Sequence, residues 1–211
     1  MIALTLLGVT VLCTVVHLAG LCLGTVLAGE RVGTVGLFGG PTLLRLRLLG
    51  VTLRLGLVPV GGYVTSRFPN GNAPAPFIAA VMNACGPLAL LLLGALLIGW
   101  VDALGEFGRG FGQLFWGALM PRAHGAALVL GAADLVARGQ VALVVGLLAV
   151  KMAALNLLPF TGSNGGALLE SLLGAGRSAR VAGVLGAPQL ALLAVLLVGW
   201  GVAIVLAVLT G

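Results

Sequence analysis

The chain is expected to be an α-helical membrane protein, with about four transmembrane helices and a membrane-associated β-hairpin after the first. Three observations lead there. Charged residues fill only 8% of its 211 positions, against about a quarter in a soluble domain, and the mean hydropathy is +1.22. Uncharged apolar runs at 2–28, 77–101 and 187–210 each reach the length, about 20 residues, that crosses a hydrocarbon core. Between the first two runs the hydrophobic period changes from helical to two.

The first element, helix 2–28, lacks the basic n-region of a signal peptide and outruns an h-region of about 7–15 residues, so it reads as a retained helix. Cys13, Cys22 and Cys85 lie within the expected spans without CxxC spacing. That points to buried small apolar residues rather than a disulfide framework or a thiolate zinc site. A β-hairpin region follows over 30–64. In "LLRLRLLGVTLRLGL" arginines alternate with leucines on both sides of a Gly-Val-Thr turn, which gives one apolar and one basic face. Open strand edges cannot cross lipid, so this region should lie at the interface or tuck into the protein, its arginine heads reaching toward phosphates. "RFPNGNAPAP" marks a loop over 65–76. Helix 77–103 carries a kinking Pro87, and 105–140 mixes aromatic, glycine and charged residues as an interfacial segment does, leaving no room for an inserted globular module. A shorter helix, 141–158, contains Lys151. A Gly-rich turn over 159–175 and a last helix, 187–210, complete a single membrane domain over 1–211.

The net charge is +6, but Arg31, Arg45, Arg47, Arg54 and Arg67, five of the eleven basic residues, fall between the first two spans with only Glu30 for company. That is the positive-inside pattern, and its expected counterpart is the lipid bilayer, with no nucleic acid involved. It puts 29–76 and 160–186 in the cytoplasm, with the N-terminus, 102–140 and the C-terminus outside. The expected location is a bacterial inner membrane.

Polar residues at membrane depth are costly and need partners. His17 stands alone in "VVHLAGLCLG", while Asn156, Thr161, Ser163 and Asn164 gather around Pro159. Irregular backbone at that depth survives only inside the protein or along a cavity, so this segment is expected to face His17. Lys151 is expected to reach the outer interface, with a pair to Asp134 or Asp102 as the alternative. Trp100, Trp116 and Trp200 read as an aromatic belt, His124 as an exposed loop residue, and the glycines as packing positions.

Four motifs in order, "HLAGL" (17–21), "LVPVGGYV" (57–64), "CGPLAL" (85–90) and "NLLPFTGSNGG" (156–166), resemble the site-2 protease family of intramembrane zinc metalloproteases. That family has H-E-x-x-H on its first core helix, a hairpin ending in Pro-x-Gly-Gly-Tyr, a Gly-Pro helix, and Asn-x-x-Pro followed by Asp-Gly. The resemblance implies a site-2-protease-like core without an inserted PDZ domain. His17 matches the first zinc-ligand histidine. Leu18 stands where the family has its water-activating glutamate, Leu21 where it has the second histidine, and Asn164 where it has the aspartate ligand. Leu90 occupies a position where asparagine is common.

Catalytic zinc needs three protein ligands, a bound water and a base to take its proton. With Leu18 and Leu21 in place, no catalytic residues, metal ligands or cofactor are expected, and Glu30 and Glu170 lie beyond the helix ends. The chain therefore reads as a degenerate, inactive member that binds or scaffolds another membrane protein or a transmembrane peptide. The partner-binding residues expected are Leu44, Arg45, Arg47, Arg54, Gly61, Gly62 and Tyr63, through strand addition along 44–57. Asn156, Pro159, Asn164 and Gly165 form the expected structural polar cluster, with His17 hydrogen-bonded to Asn164 or to the broken backbone near Pro159. The alternative is an active metalloprotease with zinc in an unusual site, for which Cys13, His17 and Asn164 are the candidate ligands. A transporter component is a third reading, resting on Lys151 and the broken third span.

Overall fold

The computed structural model describes residues 1–67, 75–160, 162–173 and 175–210, with all their side chains except those of 59, 60, 175–185 and 187. Most of the expected loop at 65–76, and Thr161, lie outside the described residues. Among the described residues, three helices are long and apolar enough to cross a membrane: α1 (Ile2–Leu27), α2 (Pro76–Ile98) and the Pro188–Thr210 part of α7 (Ala175–Thr210). The expected fourth span is α5, Val141–Asn156. Its 16 residues rise about 24 Å, short of a hydrocarbon core of about 30 Å.

Four other boundaries differ from expectation. Helix 77–103 is cut at Gly99, whose φ of 84° suits glycine. Its N–H closes α2 on the Ala95 carbonyl at 3.0 Å, and α3 (Trp100–Leu119) starts afresh. The segment 105–140 is almost wholly helical, with α3 followed by a π-helical turn (Pro121–Gly125) and α4 (Ala126–Ala137). The Gly-rich turn expected over 159–175 contains a helix, α6 (Asn164–Leu173). Ser163 caps it, its Oγ accepting the Gly166 N–H at 3.0 Å, the bond that an N-cap serine makes to the third helical residue. The last helix begins at Ala175, well before 187.

A small sheet follows α1. β1 (Arg31–Leu48) and β2 (Val51–Arg67) pair antiparallel. The tight turn is Leu49–Gly50, with φ of 49° and 84°, in place of the expected Gly-Val-Thr. Two positive φ values match the right-handed strand twist of a two-residue hairpin. The pairs Arg45↔Arg54 and Arg47↔Thr52 alternate with Leu44↔Leu55 and Leu46↔Leu53, so the two expected faces exist. The sheet is more than a hairpin, because residues 34–37 register with 62–65 and also with 52–55. Tyr63, opposite Gly36, spreads its ring over the space a side chain there would fill.

The core lies where α1, α2 and α5 meet, and includes Val9, Cys13, Leu90, Val144, Ala149 and Ala153. Leu90 is fully buried, so the position expected to favour asparagine is core. The α1–α2 approach is set by Gly20 and Gly24. A Cβ on Gly20 would sit 2.7 Å from Ala89 Cβ, and one on Gly24 would sit 2.8 Å from Cys85 Cβ. Small residues spaced by four let membrane helices come this near.

Candidate functional site

His17, Leu18 and Leu21 share a buried stretch of α1 that faces α2, the sheet and the start of α6. His17 is 4% exposed. Its ring lies against the Gly86 backbone, where a Cβ would come within 2.8 Å of Nδ1, and it interacts with the Asn164 side chain. The expected juxtaposition of His17 and Asn164 is therefore present. Nδ1 itself is buried with no partner at hydrogen-bonding geometry. Leu18 is buried, and its two Cδ atoms approach the place a Gly62 side chain would occupy, at 3.0 and 3.1 Å. Leu21 packs toward Gly86, its Cγ 2.8 Å from the Cβ that Gly86 lacks. Hydrocarbon thus occupies both positions flanking His17.

The segment before α6 is folded by backbone contacts. Gly165 and Gly166 are buried against the carbonyls of Leu157, Leu158 and Phe160, where no Cβ would fit. The Ser163 hydroxyl, which caps α6, is also within reach of the Leu158 and Phe160 carbonyls, at 2.5 and 2.8 Å. The expected polar cluster only partly assembles around His17. Asn156 turns back to donate to the Met152 carbonyl at 2.8 Å. Pro159 is exposed, and its carbonyl accepts from Gln189 Nε2 at 3.3 Å.

Of the candidate metal ligands Cys13, His17 and Asn164, the structure brings His17 and Asn164 together and turns Cys13 away. Cys13 is fully buried, with Sγ turned to α5, 3.9 Å from the Val145 carbonyl. Among the described residues no three His, Cys, Asp or Glu gather as a metal would require. Glu170 is exposed within α6 rather than beyond a helix end, and Glu30 follows α1 with Oε2 buried and unpartnered.

The proposed partner-binding residues lie on the sheet. Leu44, Arg45, Arg47, Arg54, Gly61, Gly62 and Tyr63 are all exposed, and Gly61 adopts φ 69°. Strand addition along the whole of 44–57 meets an obstacle, because 52–55 is flanked by 44–47 on one side and 34–37 on the other. Within that stretch the open edge among the described residues is that of 44–48. A hollow of about 240 Å³ opens beside Arg54, Tyr63 and Thr42, with glycines 39, 40, 56 and 62 in its wall.

Lys151 pairs with neither Asp134 nor Asp102. Its Nζ meets Glu106 Oε2 at 2.5 Å and also donates to Gln113 Oε1, while Arg109 approaches Glu106 at 2.7 Å. Burial pushes the Glu106 carboxyl up, but Lys151 and then Arg109 outweigh it and hold the group below its ordinary range. Glu106 and Gln113 are seven residues apart on α3, a spacing that puts both on one helical face and so was a readable signal for the partner of Lys151. Trp200 packs on α3: its indole N–H donates to the Leu114 carbonyl at 2.9 Å, and its ring covers Gly117. Trp100 and Trp116 are exposed. His124 is exposed too, but in the π-helical turn rather than in a loop.

Neither a protein-family model nor a curated protein matches this chain.

Proposed function

We propose that the chain is a catalytically silent, site-2-protease-like membrane protein that binds another membrane protein, or a transmembrane peptide, beside its sheet. The observation that carries this reading is the filling around His17: Leu18 packed to Gly62 and Leu21 packed to Gly86, where hydrolysis would need a base and a second ligand. The likeness of the four motifs supports the same reading, and the open edge at 44–48 offers unpaired backbone groups to an incoming strand. The charge pattern favours a bacterial inner membrane with the sheet in the cytoplasm.

One observation favours a second reading, a divergent active protease: the Nδ1 of His17 is buried against Gly86 with no partner at hydrogen-bonding geometry. Metal analysis of purified protein separates the two. The scaffold reading expects no stoichiometric zinc and no change in metal content on His17→Ala. Stoichiometric zinc lost in that variant would sink it. Co-purification in mild detergent, with a photo-crosslinker at Leu46, is expected to capture a discrete partner. A protein that emerges alone and uncrosslinked would count against binding along this edge.

A further inference from the structure

The arginines of the sheet are arranged at a cost to the sheet itself. Arg45 stands directly across from Arg54, and Arg31 from Arg67. Like charges in directly opposed positions repel, and β1 and β2 contain no Asp or Glu between residues 31 and 67 to offset them. Among the described residues, none of these arginines is in an ion pair. Two pairs of guanidinium groups on one small sheet call for an anion from outside.

Arg54 is already held in place for one. Its Nη1 donates to Tyr63 Oη at 3.1 Å, its Nε to Thr42 Oγ1 at 3.2 Å, and its Nη2 also to Thr42. A guanidinium has five N–H groups, so three are engaged by neutral hydroxyls and two remain. The hollow beside it, about 240 Å³, has glycine at half of its lining positions, with room for several waters or for one phosphate group. A fixed, planar fork with free N–H groups is the geometry that phosphate oxygens match.

We propose that the basic face of the sheet, centred on Arg45 and Arg54 with Thr42 and Tyr63 as supports, binds the phosphate of an anionic lipid headgroup. A lipid is favoured over a free phosphate by the opposite face of the same hairpin. Leu44, Leu46, Leu48 and Leu53 are 37–62% exposed, and Leu49 at the tip is 97% exposed. In a chain with three helices of membrane-crossing length among its described residues, those leucines suit the acyl boundary, and the arginines behind them then stand at headgroup level. The site shares Arg45, Arg54 and Tyr63 with the partner surface proposed above, and retention of lipid by the purified chain without a partner tests it separately.

The test is native mass spectrometry of the full chain from detergent micelles doped with equal phosphatidylglycerol and phosphatidylcholine. Wild type is expected to retain phosphatidylglycerol preferentially. The preference should fall about five-fold for each arginine removed and roughly twenty-five-fold in R45Q/R54Q. R122Q/R138Q removes the same charge away from the sheet and should stay within two-fold of wild type. T42V/Y63F keeps every charge but frees Arg54, and should lose several-fold, which protects the test against an R45Q/R54Q variant that fails to fold. Unchanged preference in both sheet variants, or equal losses in R45Q/R54Q and R122Q/R138Q, would overturn the site. Complete displacement of the lipid by millimolar inorganic phosphate would overturn the lipid as its occupant.

Discussion

The α1–α2 seam and the sheet come from neighbouring stretches of one chain and are built by opposite means. In the seam, Gly20 and Gly24 bring two helices so close that no Cβ fits between them. No charge is present, and contact distance decides everything, because in hydrocarbon helices associate through packing rather than through a hydrophobic drive. In the sheet, glycines shape turns and a hollow, most side chains over 41–54 are exposed, and arginines without an ion pair remain. The lesson is that the seam should be sensitive to volume and the sheet to charge and backbone conformation.

The sharpest way to break that contrast is Gly20→Leu, which drives a branched side chain into Cys85 and Ala89 of α2. It should cost about 3 kcal/mol or more by unfolding in mixed micelles, and a loss below about 1 kcal/mol would remove the contrast. Leu18→Ala, opening space beneath Gly62 in the buried site, is expected to cost roughly 2–4 kcal/mol. A neutral result would show that the site is not filled by packing.

Lys151→Met tests a charge held between helices. Both partners keep some solvent contact, at 27% and 18% side-chain exposure, so the expected cost is about 2 kcal/mol, below that of a fully buried pair. The double variant K151M/E106Q should regain most of it. The pH dependence follows from the depressed Glu106 carboxyl. Its contribution is present above the ordinary carboxylate range and is lost as pH falls through the lower folded-state value, so acid unfolding should begin at higher pH in K151M.

Ser163→Ala should cost about 1 kcal/mol through the lost cap of α6. The smallest effect lies in the sheet. Leu49 sits at φ 49°, a conformation that asparagine tolerates better than leucine, so Leu49→Asn should stabilise by roughly 0.5–1 kcal/mol. Destabilisation instead would show that the exposed Leu49 side chain contributes more than its backbone strain costs.

Composition and hydropathy determined the membrane class, because a chain with so few charges and such long apolar runs has no soluble solution. The period of two in "LLRLRLLG" determined the sheet and its two faces, since alternation is imposed by the pleat. The spacing around Pro159 placed Asn164 near His17, because irregular polar backbone in lipid must turn inward. Tertiary structure decided what one-dimensional patterns do not encode. It cut helix 77–103 at Gly99, a break that depends on one glycine taking a positive φ among many that do not. It gave Lys151 to Glu106 and Gln113, 45 and 38 residues away, by packing α3 on α5. It set the Leu49–Gly50 turn and laid 34–37 beside 52–55, because register depends on which strands meet in space. The sequence alone named His17 as the residue to explain; only the tertiary structure packed Leu18 to Gly62 and Leu21 to Gly86 on either side of it.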